Sequence, residues 1–227
     1  CGKGKQWQCA LILLCHMRAT GVQADMMIYS ASISPCEKGQ QWQCAQKLFG
    51  EMQAAGVQEH VIVHNATISA CEKGQQWQCA LSVFGKLRAA GLQSHIITYN
   101  ATISACEKGQ QWQCALQVLW EISGADVQRD VVSYNAVLRA CEEGQQWEFA
   151  LKLFTDMRAA ALQVDPITYS AMISACEKGQ QGQCATKLLR EIRATGLQVD
   201  ATSPYATIGA CERWRQSAHL GQQLRGR

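Results

Sequence analysis

Asparagine or serine returns at a fixed step along this 227-residue chain: Ser30, Asn65, Asn100, Asn135 and Ser170 stand 35 residues apart. Three residues before each stands a large apolar residue, in turn Met27, Ile62, Ile97, Val132 and Ile167. On a helix, positions i and i+3 share a face. An apolar side chain beside an amide or hydroxyl offers what a splayed-out nucleobase needs, a surface against its flat face and a polar group at its edge. An Asn amide both donates and accepts, so it answers the adjacent N–H and C=O of a pyrimidine. The same residue types have a plainer use, because Asn and Ser near helix starts cap free backbone N–H groups. Duplication alone would copy such caps from unit to unit.

The elements that must position these side chains are repeats. The segment ATISACEKGQQWQCA occupies residues 66–80 and, unchanged, residues 101–115. Close variants occupy 31–45, 136–150 and 171–185, and the tyrosine ahead of them keeps the step at Tyr29, Tyr99, Tyr134 and Tyr169, with His64 in the odd slot. Full units therefore run 26–60, 61–95, 96–130, 131–165 and 166–200, preceded by a partial unit at 1–25 and followed by a degenerate partial unit with a basic tail at 201–227. Self-similarity at this period marks a stacked array of helix pairs, each touching only its neighbours.

Within 96–130 the stripe Tyr99, Ile103 and Cys106 predicts a first helix, with Thr98 expected to cap it. Gly109 is expected to take the left-handed conformation at its end. A second stripe, Trp112, Ala115, Leu116, Leu119 and Ile122, predicts the second helix. Gly56, Gly91 and Gly196 close second helices, and Asp126 and Ala161 take that place in two units. A left-handed residue there costs about 1–2 kcal/mol without glycine. Pro35 is expected to kink or shorten its helix.

Composition excludes several alternatives. No apolar run approaches the ~20 residues of a membrane-spanning helix, and the net charge of +3 decides nothing about partners. The 13 cysteines fall mostly in two columns, Cys36 to Cys211 and Cys44 to Cys184, eight residues apart within a unit. That spacing is not a zinc-knuckle spacing, and no histidines accompany it, so metal and cofactor are both expected to be absent. The thiols read as small apolar packing groups of a reducing compartment. The tryptophan column, Trp42, Trp77, Trp112 and Trp147, reads as core packing, with Gly182 leaving one unit looser. Lys38, Lys73, Lys108 and Lys178 are candidate phosphate contacts. They are equally explained as cations at helix C-termini, beside acids such as Glu37 and Glu72. No catalytic constellation is present, so no enzyme is expected. The chain opens at Cys1, in mid-unit, and reads as a fragment or a processed product.

The run VVSYNAVLRACEEG followed by ALKLFTDMRAAALQVD, Val131 to Asp165, resembles a pentatricopeptide repeat, as does IITYNATISACEKGQQWQCALQVLW. The resemblance implies an all-α, right-handed α-solenoid that binds single-stranded RNA along its concave face in chloroplasts or mitochondria. It also implies that the fifth residue of a unit acts with its last. That rule pairs Ser30 with His60, Asn65 with His95, Asn100 with Asp130, Asn135 with Asp165 and Ser170 with Asp200. Read 5′ to 3′, the implied target is an unassigned base, a pyrimidine, U, U and G. The other partner class on the same architecture is protein, with the chain as a scaffold.

Overall fold

The computed structural model describes residues 6–20, 24–124 and 127–195. Eleven helices form among the described residues: α1 Gln6–Ala19, α2 Met26–Lys38, α3 Trp42–Ala54, α4 Val61–Lys73, α5 Trp77–Ala89, α6 Ile96–Lys108, α7 Trp112–Ile122, α8 Val131–Glu143, α9 Trp147–Ala159, α10 Pro166–Lys178 and α11 Gly182–Thr195. The chain divides into two compact units, residues 1–128 and 129–227. In each, a first helix packs on its own second helix and on the first helix of the next repeat, α2 on α4 and α4 on α6 in one unit, α8 on α10 in the other. Stacked helical hairpins of this kind are the α-solenoid class.

The predicted stripes are the buried ones. Ile103, Cys106, Ala115 and Leu119 are fully buried, and Tyr99 nearly so. The repeated tyrosine meets the preceding repeat edge-on: Tyr99 lies 5.3 Å from Phe84, and Tyr169 lies 5.7 Å from Phe154. His64 fills the same slot against Phe49 at 4.8 Å. A buried imidazole needs polar partners, and Glu59 stands 3.0 Å from its Nε2 while the His60 carbonyl stands 3.2 Å from its Nδ1.

Three expectations about local structure are corrected. Gly109 is not left-handed; its φ is −86°. The left-handed residue is the next one, with Gln40, Gln75, Gln110, Gln145 and Gln180 at φ 55–57°. Each of these first helices, α2, α4, α6, α8 and α10, ends in a Schellman motif in which that glutamine is the left-handed residue: Gln75 N–H donates to Glu72 O, and Gln76 N–H to Cys71 O. Glycine is needed one position earlier for a different reason. A Cβ on Gly74 or Gly109 would overlap the indole of Trp42 or Trp77 from the preceding repeat, and one on Gly179 would overlap Trp147. Trp42, Trp77 and Trp147 are thus half-buried lids over the next repeat's glycine rather than full core residues, and Trp112 is half-buried too.

Second, Thr98 does not cap α6. His95 is the N-cap residue, and Thr98 lies inside the first turn, fully buried. Third, of the two effects expected of Pro35, shortening does not occur: α2 is 13 residues long, as α4 is. At the other turn the expectation agrees with the structure: Gly56, Gly91 and Ala161 have φ of 66°, 67° and 55°. Asp126 and Gly196 lie outside the described residues.

Candidate nucleic-acid interface

The last residue of one repeat is the N-cap of the next first helix. Asp25, His60, His95, Asp130 and Asp165 all take this place, each with extended backbone. An N-cap oxygen accepts from the N–H groups two or three residues on. Asp130 accepts from the Ser133 N–H at 2.8 Å, and Asp165 from the Thr168 N–H at 2.7 Å. His60 does the same less closely, taking the Ile62 N–H on Nδ1 at 3.3 Å. His95 makes no such side-chain bond.

Two residues into each first helix stands the apolar column. Met27, Ile62, Ile97, Val132 and Ile167 are 68, 52, 70, 61 and 53% exposed. Helical geometry forces this: the residues two positions further on, Tyr29, His64, Tyr99, Tyr134 and Tyr169, face the packed layer, so these point away from it.

One turn on stand the polar readers. Ser30, Asn65, Asn100 and Ser170 are half-buried, whereas Asn135 is drawn in to 6% exposure. Its burial has a cause. Asn135 Nδ2 donates to the Asp165 carboxylate, 3.2 Å from either oxygen, and Thr168 Oγ1 lies 2.6 Å from Asn135 Oδ1. The structure thus brings Asn135 and Asp165 together. Burial works to raise the Asp165 pKa, but bonds from Thr168, Asn135 and the Ile167 N–H outweigh it and hold the carboxyl below its ordinary value. In the other unit Thr98 Oγ1 donates to Asn65 Oδ1 at 2.7 Å. Asp200 lies outside the described residues.

Of these first-turn hydroxyls sequence reading singled out only Thr98, and for a different role, as a cap. The signal was there as a spacing of 33, at Asn65 with Thr98, Asn100 with Ser133 and Asn135 with Thr168.

The lysine column is engaged between repeats. Lys73 pairs with Glu37 at 2.9 Å, Lys108 with Glu72 at 2.8 Å and Lys178 with Glu142 at 3.0 Å. The acid belongs to the preceding repeat and not to the lysine's own, which sequence alone did not reveal. Exposed pairs of this kind contribute only about 0–1 kcal/mol each. Lys38, like the other three, lies at a first-helix C-terminus and is exposed.

Among the described residues, no group of three or more His, Cys, Asp or Glu side chains is placed to hold a metal. The first cysteine column, Cys36, Cys71, Cys106, Cys141 and Cys176, is buried and the second half-buried. Burial pushes the Cys71, Cys106 and Cys141 thiols up to about 12. No described helix is long and apolar enough to cross a membrane.

Fold and column together define a helical-repeat protein with periodic exposed side chains on its first helices. Three family models match it in sequence: the pentatricopeptide repeat domain over residues 47–109, the PPR repeat family over 129–178 and the PPR repeat over 167–197. The chain belongs to the pentatricopeptide repeat family. No match is found among curated protein sequences. Solved structures share the fold. Against the maize pentatricopeptide repeat protein PPR10 the TM-score is 0.65 at 24% identity, covering 95% of this chain and 31% of that one. The pentatricopeptide repeat domain of Arabidopsis thaliana protein-only RNase P 1, solved in complex with tRNA, gives 0.68 at 15%, covering 81% of this chain and 95% of that one. Nuclear proteinaceous RNase P 2 of the same plant gives 0.72 at 14%, covering 84% and 42%. The chain thus spans about a third of the length of the maize protein.

Proposed function

We propose that this chain binds single-stranded RNA along its first helices, one nucleotide per repeat. In this reading each exposed apolar residue packs on a base, and the residue three positions on meets the base edge together with the N-cap residue of the next repeat. The observation that carries the reading is the apolar column: five large apolar side chains, all more than half exposed, at a 35-residue step. Each exposed apolar group forgoes burial worth about 1.5–3 kcal/mol, so packing does not account for a column of them. A base face covers such a group and stacks in register with the next one.

The column stands beside Asn65 and Asn135, whose amides are held by neighbours and keep hydrogen-bonding capacity in reserve. The proposed target, 5′ to 3′, is an unassigned base, a pyrimidine, U, U and G. The chain acts by occupying or presenting RNA and not by chemistry of its own. Its use is RNA processing, stabilisation or translation in a chloroplast or mitochondrion. Of the structures sharing the fold, that of protein-only RNase P 1 holds tRNA; this supports RNA as the ligand class here.

The test is a mobility shift with a pool of short RNAs at two salt concentrations. Selective retention of RNAs carrying adjacent uridines at moderate salt is the expected result. Equal retention of all RNAs, lost on adding salt, is binding to phosphate alone and overturns base reading.

A further inference from the structure

The hydroxyls of Thr98 and Thr168 touch the reading amides from the neighbouring repeat, at 2.7 Å from Asn65 Oδ1 and 2.6 Å from Asn135 Oδ1. An Asn side chain left to itself presents its oxygen and nitrogen in either of two orientations, related by a flip of the amide. What fixes the orientation differs at the two sites. Beside Asn135 stands the Asp165 carboxylate, which only accepts, so the amide must turn Nδ2 towards it. Oδ1 then faces Thr168. The Thr168 hydroxyl also lies 2.7 Å from Asp165 Oδ1. Its one proton is shared between the Asp165 carboxylate and Asn135 Oδ1, so here Thr168 assists the carboxylate in holding the amide.

Asn65 is different. The residue in the place of Asp165 is His95, which carries no fixed negative charge. There Thr98 is the group that holds the amide oxygen inward.

Orientation decides which pyrimidine an amide suits. Uracil presents a donor at N3 and an acceptor at O4; cytosine presents an acceptor at N3 and a donor at N4. A freely flipping amide serves both equally, and a pinned one serves only one of them. We infer that Thr98 and Thr168 are positioning residues that fix the amide flip of Asn65 and Asn135 and so set discrimination between uracil and cytosine. This rests on the RNA-reading proposal above.

The sequence carries the same relation once more, at Asn100 and Ser133, and every Asn reader has a hydroxyl residue 33 positions on. Ser30, which has no amide to flip, has Val63 at that distance. The position therefore accepts an apolar residue of threonine's shape: Val63 is fully buried in a normally formed α4.

The test uses the whole 227-residue chain. Thr98→Val removes the hydroxyl and keeps the shape, and Thr98→Ser restores the hydroxyl. Short synthetic RNAs differing only as U or C at the nucleotide facing Asn65 are titrated against each. The wild type is expected to prefer one of the two by about tenfold, the worth of one hydrogen bond to a base edge. Thr98→Val should bring the ratio to within about twofold while the melting temperature stays close to wild type, and Thr98→Ser should restore it. Thr168→Val should lower the ratio at the next-but-one nucleotide by less, because Asp165 still directs that amide. A wild type that binds no RNA overturns the RNA reading and this inference together. A selective wild type whose preference survives Thr98→Val overturns this inference alone.

Discussion

The indole of Trp77 lies where a side chain on Gly109 would begin. The same relation joins Trp42 to Gly74 and Trp147 to Gly179, so at these three junctions a repeat closes over the next through one bulky and one absent side chain. Gly109→Ala should therefore destabilise the fold by about 1–3 kcal/mol, the usual cost of overfilling a packed site. Gln110→Gly should do the opposite and stabilise by up to about 1 kcal/mol, since Gln110 holds φ at 57°. Denaturant midpoints of the two variants, measured side by side, check both. A stabilising Gly109→Ala would refute the close approach.

Ala161 carries the same backbone strain at the other turn, with φ of 55° where Gly56 and Gly91 stand in equivalent repeats. Ala161→Gly should stabilise the fold by about 1 kcal/mol and so raise the denaturation midpoint. Gly91→Ala should lower it by a similar amount. Opposite signs from the two exchanges are the expected pattern.

Asp165 is held below its ordinary carboxyl pKa because bonds from Thr168 and Asn135 outweigh its burial. A group whose folded pKa is depressed stabilises the fold fully above its unfolded value, near 4, and loses that contribution as pH falls through the folded value. Acid unfolding of the wild type should steepen below about pH 4. Asp165→Asn should flatten that part of the curve. Asp165→Ala, which also removes the cap, should cost about 1 kcal/mol at neutral pH. Circular dichroism followed from pH 7 to pH 2 reads all three.

Ile97 and Met27 are exposed, so replacing either by serine should leave thermal stability within about 0.5 kcal/mol of wild type. The same changes should weaken RNA binding by about three- to tenfold each, the loss of apolar contact with one base. Fluorescence anisotropy with a labelled oligonucleotide gives the binding arm, and a thermal melt the stability arm. Unchanged affinity in both variants would remove the apolar column from the interface.

The thiols should separate by reactivity. Thiolate is the reacting form, and burial keeps Cys71, Cys106 and Cys141 protonated at neutral pH. Cys184 is lowered to about 7 because the Cys176 thiol donates to it. Brief alkylation of the native chain, read by mass spectrometry, should label Cys184 ahead of those three. Labelling of all four at one rate would contradict the packing.

Periodicity made much of this legible in advance. The 35-residue step and the stripes through Tyr99 and Leu119 set the helices and their inward faces, and the exposed column followed from Ile97 lying two residues from Tyr99. What stayed hidden depends on contacts between repeats. A glycine at a helix end reads equally well as a left-handed residue or as a gap for a neighbour, and only the position of Trp77 tells which Gly109 is. Thr98 reads as a cap, but the N-cap place is held by His95, because sequence does not fix where a first turn begins to within a residue or two. Lys108 reads as paired with its own neighbour Glu107, whereas the stacking of α4 on α6 presents it with Glu72.

Because Trp42 meets Gly74 as Trp77 meets Gly109, and Lys73 meets Glu37 as Lys108 meets Glu72, the parts on either side of a junction are interchangeable. Removing the whole stretch 61–95 would present Trp42 with Gly109 and Lys108 with Glu37, the same pairs of residue types that meet now. The two verbatim fifteen-residue segments at 66–80 and 101–115 are the kind of sequence identity on which an exchange of that one stretch could act.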